Sequence, residues 1–203
     1  MPGVTDMATP RQGLLGDLPG SLVIETVGAV PEDVTDLTHD SRQVRPGWAF
    51  ACVPGERHDG HDFAAQAVAD GATLLLVERR LPSQLVGDTA QLVVTDVRRA
   101  MGFAAASVHG HPAASLTLVG VTGTNGKTTT TQLIGSILRA AGRDERELGT
   151  LSGARTTPEA PDLQRRLAGF VRDGVDTVVM EVSSHALALH RVAGARFDVA
   201  VFF

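Results

Sequence analysis

The stretch that decides the fold is Val119-Gly-Val-Thr-Gly-Thr-Asn-Gly-Lys-Thr-Thr-Thr-Thr131. An apolar run, Leu116 to Val121, leads into it and reads as a buried strand. Gly123 and Gly126 let the backbone curl so that successive N–H groups converge, and Lys127 and Thr128 then open a helix that runs to about Ala141 before Gly142 stops it. The helix N-terminus adds its positive end. In a strand-loop-helix of this kind the lysine ammonium reaches the β- and γ-phosphates of a nucleotide, and the hydroxyl of the next residue can ligate Mg²⁺. The segment departs from the common G-x-x-x-x-G-K-S/T spacing, since Val121 stands at the first glycine position between Gly120 and Gly123. Thr122, Gly123, Thr124, Asn125, Gly126, Lys127, Thr128 and Thr129 form the candidate ATP site.

Working outward, strand-like and helix-like segments alternate. Trp48–Val53, Thr73–Glu78, Gln91–Thr95, Asp176–Val182 and Phe197–Phe202 read as strands, the last as a core strand. Helices are expected over Asp62–Ala69 (Asp62 as N-cap), Val97–Val108 and Pro161–Asp173, the last with Leu163, Leu167, Phe170 and Val171 on one face. This order predicts an α/β fold with parallel sheets and helices on their faces. His109-Gly-His-Pro112 ends a helix and suggests a boundary near residue 113. The expected organisation is a loose arm over 1–20, a first domain over 21–113 and an ATP-binding domain over 114–203. At roughly 90 residues the second is small for a doubly wound domain, so a chain lacking its rear part is expected.

The 203 residues are 43% hydrophobic and 20% charged, with a net charge of −5, which argues against a nucleic-acid partner. The lone Cys52 excludes an internal disulfide and a multi-cysteine zinc site, and its apolar surroundings read as a buried small hydrophobe. No basic-then-apolar leader and no run long enough to span a bilayer is present, so a cytoplasmic protein is expected.

The string Thr122-Gly-Thr-Asn-Gly-Lys-Thr-Thr-Thr130 resembles the Mur ligases, which add amino acids to peptidoglycan precursors. Thr38-His-Asp-Ser-Arg42 with Val44-Arg-Pro-Gly47 looks like their N-terminal uridine-nucleotide domain, and Val53-Pro-Gly-Glu-Arg-His-Asp-Gly-His-Asp-Phe63 like its next loop. Thr156-Thr-Pro158 and Glu181-Val-Ser-Ser-His-Ala-Leu187, with Arg191, resemble the third-residue-adding (MurE-type) branch. Together these segments cover nearly all of the chain beyond residue 35.

The resemblance implies an ATP- and Mg²⁺-dependent ligase. It would phosphorylate a carboxylate of UDP-N-acetylmuramoyl-L-alanyl-D-glutamate and pass the acyl phosphate to the amine of meso-diaminopimelate or L-lysine. It implies that Ser41, in the Asp40-Ser41-Arg42 stretch, contacts the uridine nucleotide, and that Ser183 and Arg191 hold the dipeptide end. Glu56, Arg57 and His58 could face a diphosphate, or could be a solvated turn. Thr156 and Thr157 could bind a carboxylate or pyrophosphate, or could precede a helix as its cap region. Glu181, at a strand end, is the candidate partner of Thr128 for Mg²⁺ and with Lys127 the candidate catalytic pair, and His185 is a further candidate near the metal. Much of the family has Gln two residues before the arginine, where Leu189 stands here. The resemblance further implies a continuation beyond Phe203, a C-terminal domain for the amino acid, a monomer without membrane or nucleic-acid partners, and no turnover by this stretch alone. Two other readings follow from the loop by itself: another P-loop enzyme, such as a kinase or folylpolyglutamate synthetase, or a non-catalytic nucleotide-binding module.

Overall fold

The computed structural model describes residues 18–151 and 155–203; most of the expected N-terminal arm lies outside them. Two sheets follow each other along the chain. The first contains β1 (Val23–Val27), β2 (Asp36–Thr38), β3 (Trp48–Ala51), β4 (Leu74–Val77) and β5 (Ala90–Val94), in the order β1-β5-β4-β3-β2. Only β1 runs antiparallel to its neighbour. Helices α1 (Ala64–Ala69), α2 (Ser83–Val86) and α3 (Val97–Val108) cover it. Strand β4 explains how: Leu74 and Leu76 point to one face, where Leu37, Leu92 and Met101 of α3 meet them, while Leu75 and Val77 point to the other, against Phe50, Ala64, Ala67 and Val86. A strand covered on both faces is apolar at every position, so β4 reads as an unbroken run rather than an alternation.

The second sheet is all parallel, in the order β7-β8-β6-β9, from β6 (Thr117–Thr122), β7 (Glu145–Leu148), β8 (Thr177–Glu181) and β9 (Val199–Phe202). Helix α4 (Lys127–Ala140) packs Ile134 and Leu138 on the Val119, Val121 and Val179 face. Helix α5 (Ala160–Arg172) packs Leu163 and Leu167 on the face of Leu118, Val178 and Met180. The short α6 (Ser184–Ala188) joins β8 to β9. The chain leaves β6 for β7 on one side and later returns to β9 on the other, so the C-terminal end of β6 is a topological switch point, where open α/β sheets form their ligand crevice.

Several expectations are corrected. Strand β9 lies at the sheet edge, with Val199 48% and Phe202 83% exposed, and is not a core strand. Asp62 does not cap α1, which starts after Phe63 without a side-chain cap; Asp62 lies inside a 3₁₀ turn, Gly60–Phe63, that Asp59 caps by accepting the His61 N–H. Strands β1, β2 and β7 and helix α2 come from segments with no strong periodic signal. Among the described residues, no helix is long and apolar enough to cross a membrane.

The two sheets meet along a seam between α3 and α5. Gly102 of α3 lies so close to the turn after α6 that a β-carbon there would stand 2.6 Å from the Ala193 side chain. Beside it, Arg165 of α5 reaches across to β2. Its Nε donates to Asp36 Oδ2 at 2.8 Å and its Nη2 to Oδ1 at 3.1 Å. The guanidinium also lies 5.6 Å from the ring centroid of Trp48, a cation–π distance.

Candidate functional site

The glycine-rich turn leaves the end of β6, and its backbone explains its composition. Gly123 has φ +146° and Gly126 φ +83°, values that side chains disfavour. Their bare faces are also filled: a β-carbon on Gly123 would stand 2.2 Å from the Phe203 carbonyl oxygen, and one on Gly126 2.7 Å from the Phe203 ring. Gly126 begins α4 without a side-chain cap, which leaves the first-turn N–H groups without a side-chain acceptor. Thr124, Asn125 and Gly126 are exposed. The Lys127 ammonium folds over the turn and donates to the carbonyl oxygens of Gly123 at 2.7 Å and Thr124 at 3.4 Å. Among the described residues its hydrogen-bond partners are these two neutral carbonyls, which an anion can replace.

Beside the turn, Glu181 ends β8 with 2% of its surface exposed. Thr128 Oγ1 lies 3.0 Å from each of its carboxylate oxygens. The Thr150 N–H donates to Oε1 at 2.9 Å and the Thr150 hydroxyl to Oε2 at 3.3 Å. A buried carboxylate needs such donors. Gly149 is closely fitted to this group, for a β-carbon there would meet Oε1 at 2.2 Å. A threonine hydroxyl and a carboxylate are hard oxygen donors of the kind Mg²⁺ takes, so the residues present fit that ion. His185 is exposed on α6 and makes no side-chain hydrogen bond or ion pair to Thr128 or Glu181; the structure does not join it to them.

A second recess opens along the seam. A cleft of about 220 Å³ is lined by Thr38, His39 and Asp40 from the first sheet unit and by Arg155, Pro158 and Glu159 from the second. Thr38, His39 and Asp40 thus share one space with Pro158, although more than a hundred positions separate them, whereas Ser41, Arg42, Thr156 and Thr157 are not among the residues lining it. Asp40 caps the 3₁₀ turn Ser41–Gln43 and binds Arg42 in a fork, at 2.8 and 2.7 Å, and these bonds from Arg42 hold its carboxyl below the usual range. Burial pushes the His39 imidazole toward its neutral form, against the opposing pull of Glu159 and Asp162. Burial works to raise the Asp36 carboxyl, but bonds from His109, Arg165 and the Leu37 N–H outweigh it and bring it to about 2.

The remaining expected contacts divide. Thr156 is partly exposed, its hydroxyl 3.0 Å from that of Thr150. Thr157, expected to bind substrate, is 1% exposed; its hydroxyl donates to the Glu181 carbonyl at 3.0 Å and accepts the Ser183 N–H at 3.1 Å. It is a strut between the Thr-Thr-Pro segment and the end of β8, because burial there requires both bonds to be internal. Ser183 caps α6 by accepting the Ala186 N–H. Arg191 lies nearby, with Nη2 2.9 Å from Glu159 Oε1 and Nη1 3.4 Å from the Thr157 carbonyl oxygen. Glu56, Arg57 and His58 stay on an exposed loop and do not line the cleft. The base of that loop is pinned by buried His61, whose Nδ1 lies 2.5 Å from Asp59 and whose Nε2 accepts the Glu78 N–H at 3.0 Å. Sequence reasoning missed Thr150, Arg155 and Glu159. Glu159 directly follows the quoted Thr156-Thr-Pro158, and that adjacency was the available signal.

Fold and loop define the class first: an α/β protein whose second sheet carries a glycine-lysine-threonine turn at its switch point. Two family profiles then match residues 33–203 between them, "Mur ligase family, catalytic domain" over 33–125 and "Mur ligase middle domain" over 121–203. The chain belongs to the Mur ligase family. A UDP-N-acetylmuramoyl-L-alanyl-D-glutamate–2,6-diaminopimelate ligase of Syntrophomonas wolfei is 44% identical over 185 residues, covering 86% of this chain and 37% of that protein. The same-named ligase of Geobacillus thermodenitrificans is 46% identical over 200 residues, covering 94% and 40%. The chain thus spans roughly two fifths of the curated relatives it matches. A solved ligase of that name superposes with TM-score 0.70 at 29% identity, covering 83% of this chain and 36% of the other. The MurF ligase from Thermotoga maritima, solved in complex with ADP, superposes with TM-score 0.52 at 26% identity, covering 76% and 34%.

Proposed function

We propose that this chain carries the uridine-nucleotide and ATP-phosphate sites of a ligase that adds the third residue, meso-diaminopimelate or L-lysine, to UDP-N-acetylmuramoyl-L-alanyl-D-glutamate. The observation that carries the reading is the approach of Thr128 Oγ1 to both oxygens of buried Glu181, beside an ammonium laid over an uncapped helix start. The relatives support the choice of substrate through their names and their 44–46% identity.

In this reading the first-turn amides of α4 and the Lys127 ammonium bind the β- and γ-phosphates of ATP, the lysine giving up its carbonyl partners to do so. Thr128 and Glu181 would hold Mg²⁺, which neutralises phosphate charge when bound. Ser41 and Arg42, with the loop of Glu56, Arg57 and His58, serve the uridine nucleotide, and the seam cleft receives its extension toward the second unit. Thr156, Ser183 and Arg191 serve the dipeptide end, with Thr157 holding that segment against β8. The chain then divides into a substrate domain over 21–113 and an ATP domain over 114–203, acting in the cytoplasm as a monomer. The work of both is positioning: two anions are brought together and screened from each other.

Thermal shift tests the assignment. Mg-ATP and UDP-N-acetylmuramoyl-L-alanyl-D-glutamate are each expected to raise the melting temperature. Stabilisation by a folate or another acceptor, with no response to the muramoyl nucleotide, would contradict it.

A further inference from the structure

Glu159 stands just before α5 with extended backbone, φ −66° and ψ 154°, and makes no side-chain cap to its own helix. Its carboxylate, 7% exposed, meets arginines from three other places. Arg191, after α6, puts Nη2 2.9 Å from Oε1. Arg155, from the segment before α5, hydrogen-bonds the same oxygen. Arg98, on α3 of the first unit, puts Nη1 3.8 Å from Oε2. Within this cluster one carboxylate faces three guanidiniums, and Glu159 and Arg155 also line the cleft, together with Asp40, Asp162 and Arg166.

Two atoms sharpen the point. Arg191 Nε and Glu159 Oε2 are buried and have no hydrogen-bond partner among the described residues. A buried guanidinium donor left unmet is costly, and an incoming anionic oxygen would remove that cost. Arg191 is only 13% exposed on its side chain, so its direction depends on what holds it. Glu159 and the Thr157 carbonyl are the acceptors that do so.

We propose that Glu159 is a positioning residue that orients Arg191, with Arg155 and Arg98 alongside, as a preorganised seat for a carboxylate of the substrate. The inference rests on the muramoyl-dipeptide reading above and extends it to a residue that does not itself touch the ligand. A guanidinium recognises a carboxylate through two parallel donors, so a small rotation of Arg191 weakens binding without removing charge from the site.

Calorimetric titration of the full chain tests this with three ligands: UDP, UDP-N-acetylmuramoyl-L-alanine, and the same nucleotide bearing L-alanyl-D-glutamate. Glu159→Gln is expected to weaken the dipeptide nucleotide about tenfold and the two shorter ligands less than about twofold. In an Arg191→Ala background the same substitution is expected to add less than about twofold, because its effect passes through that arginine. A structural role would instead weaken all three ligands alike, or multiply independently with Arg191→Ala, and either result overturns the proposal. If Glu159→Gln does not fold, Glu159→Asp, which keeps the charge but draws it back by one carbon, replaces it with the same expected split between ligands. Equal loss for UDP and the dipeptide nucleotide would assign the seat to the diphosphate and overturn the carboxylate assignment. Failure of the unaltered chain to bind any of the three overturns the parent reading as well; binding by the unaltered chain with no change in the variants overturns only this one.

Discussion

The turn around Lys127 and the seam around Asp36 both concentrate charge, yet they are built in opposite ways. In the turn, neighbouring residues act through backbone groups, and the one ammonium rests on the carbonyls of Gly123 and Thr124. In the seam, Asp36 and Arg165 lie 129 positions apart and bind each other through a two-bond fork, with His109 3.1 Å from the same carboxylate. The turn holds its charge in a form that a ligand can take over, whereas the Asp36–Arg165 fork has already matched cation to anion. The turn is therefore expected to govern ATP binding with little effect on stability, and this fork the reverse.

The largest expected effect separates the two directly. Lys127→Ala should weaken Mg-ATP binding by about 100-fold or more, since a charge-assisted contact to phosphate is lost. Its urea midpoint should hardly move. A large drop in stability with ATP affinity retained would reverse the comparison.

Next in size, Arg165→Ala should cost about 2 kcal/mol of unfolding free energy by urea titration, since it leaves the Asp36 carboxylate largely buried with its main cation gone. ATP affinity should stay within about twofold of the unaltered chain.

The pH dependence of stability sharpens the same point. The Asp36 carboxyl falls from 3.8 to about 2 on folding, so the native chain binds the proton less readily than the unfolded one. Its contribution is complete above pH 3.8 and is lost as pH falls through about 2. Acid titration of unfolding should show this slope in the unaltered chain, and Asp36→Asn should remove that part of it.

The smallest effect belongs to Cys52, buried in the first sheet's core. Burial raises its thiol to about 12. Iodoacetamide at pH 8 should leave it unmodified in the native chain and alkylate it once urea unfolds the protein, as mass spectrometry would show.

What could be read from the residues follows the same division. Strands β3 to β6 and β8, and helices α3 to α5, were legible because each is either a continuous apolar run or carries a 3.6-residue stripe. Strand β7 was not, since Glu-Arg-Glu-Leu looks like surface; Glu145 is buried there only because Arg139 of α4 pairs with it. Strand β1 lies at an edge with its three central residues exposed, and β2 has just three residues. At the site, the turn was legible because its chemistry lies in consecutive residues. Glu181 could be named from its place at a strand end, and its pairing with Thr128 is present. The Thr157 hydroxyl pointed the wrong way from sequence, because nothing local says that Glu181 and Ser183 will receive it. The Asp36–Arg165 fork and the arginines around Glu159 depend on the meeting of two sheets, which no short window contains.

The most direct measurement is a backbone amide ¹H–¹⁵N spectrum of the chain titrated with Mg-ATP. The amides of Gly123 to Thr129 are expected to show the largest shifts, and Lys127→Ala should abolish them. If those amides stay in place while ATP moves resonances elsewhere, the phosphate-loop account is wrong.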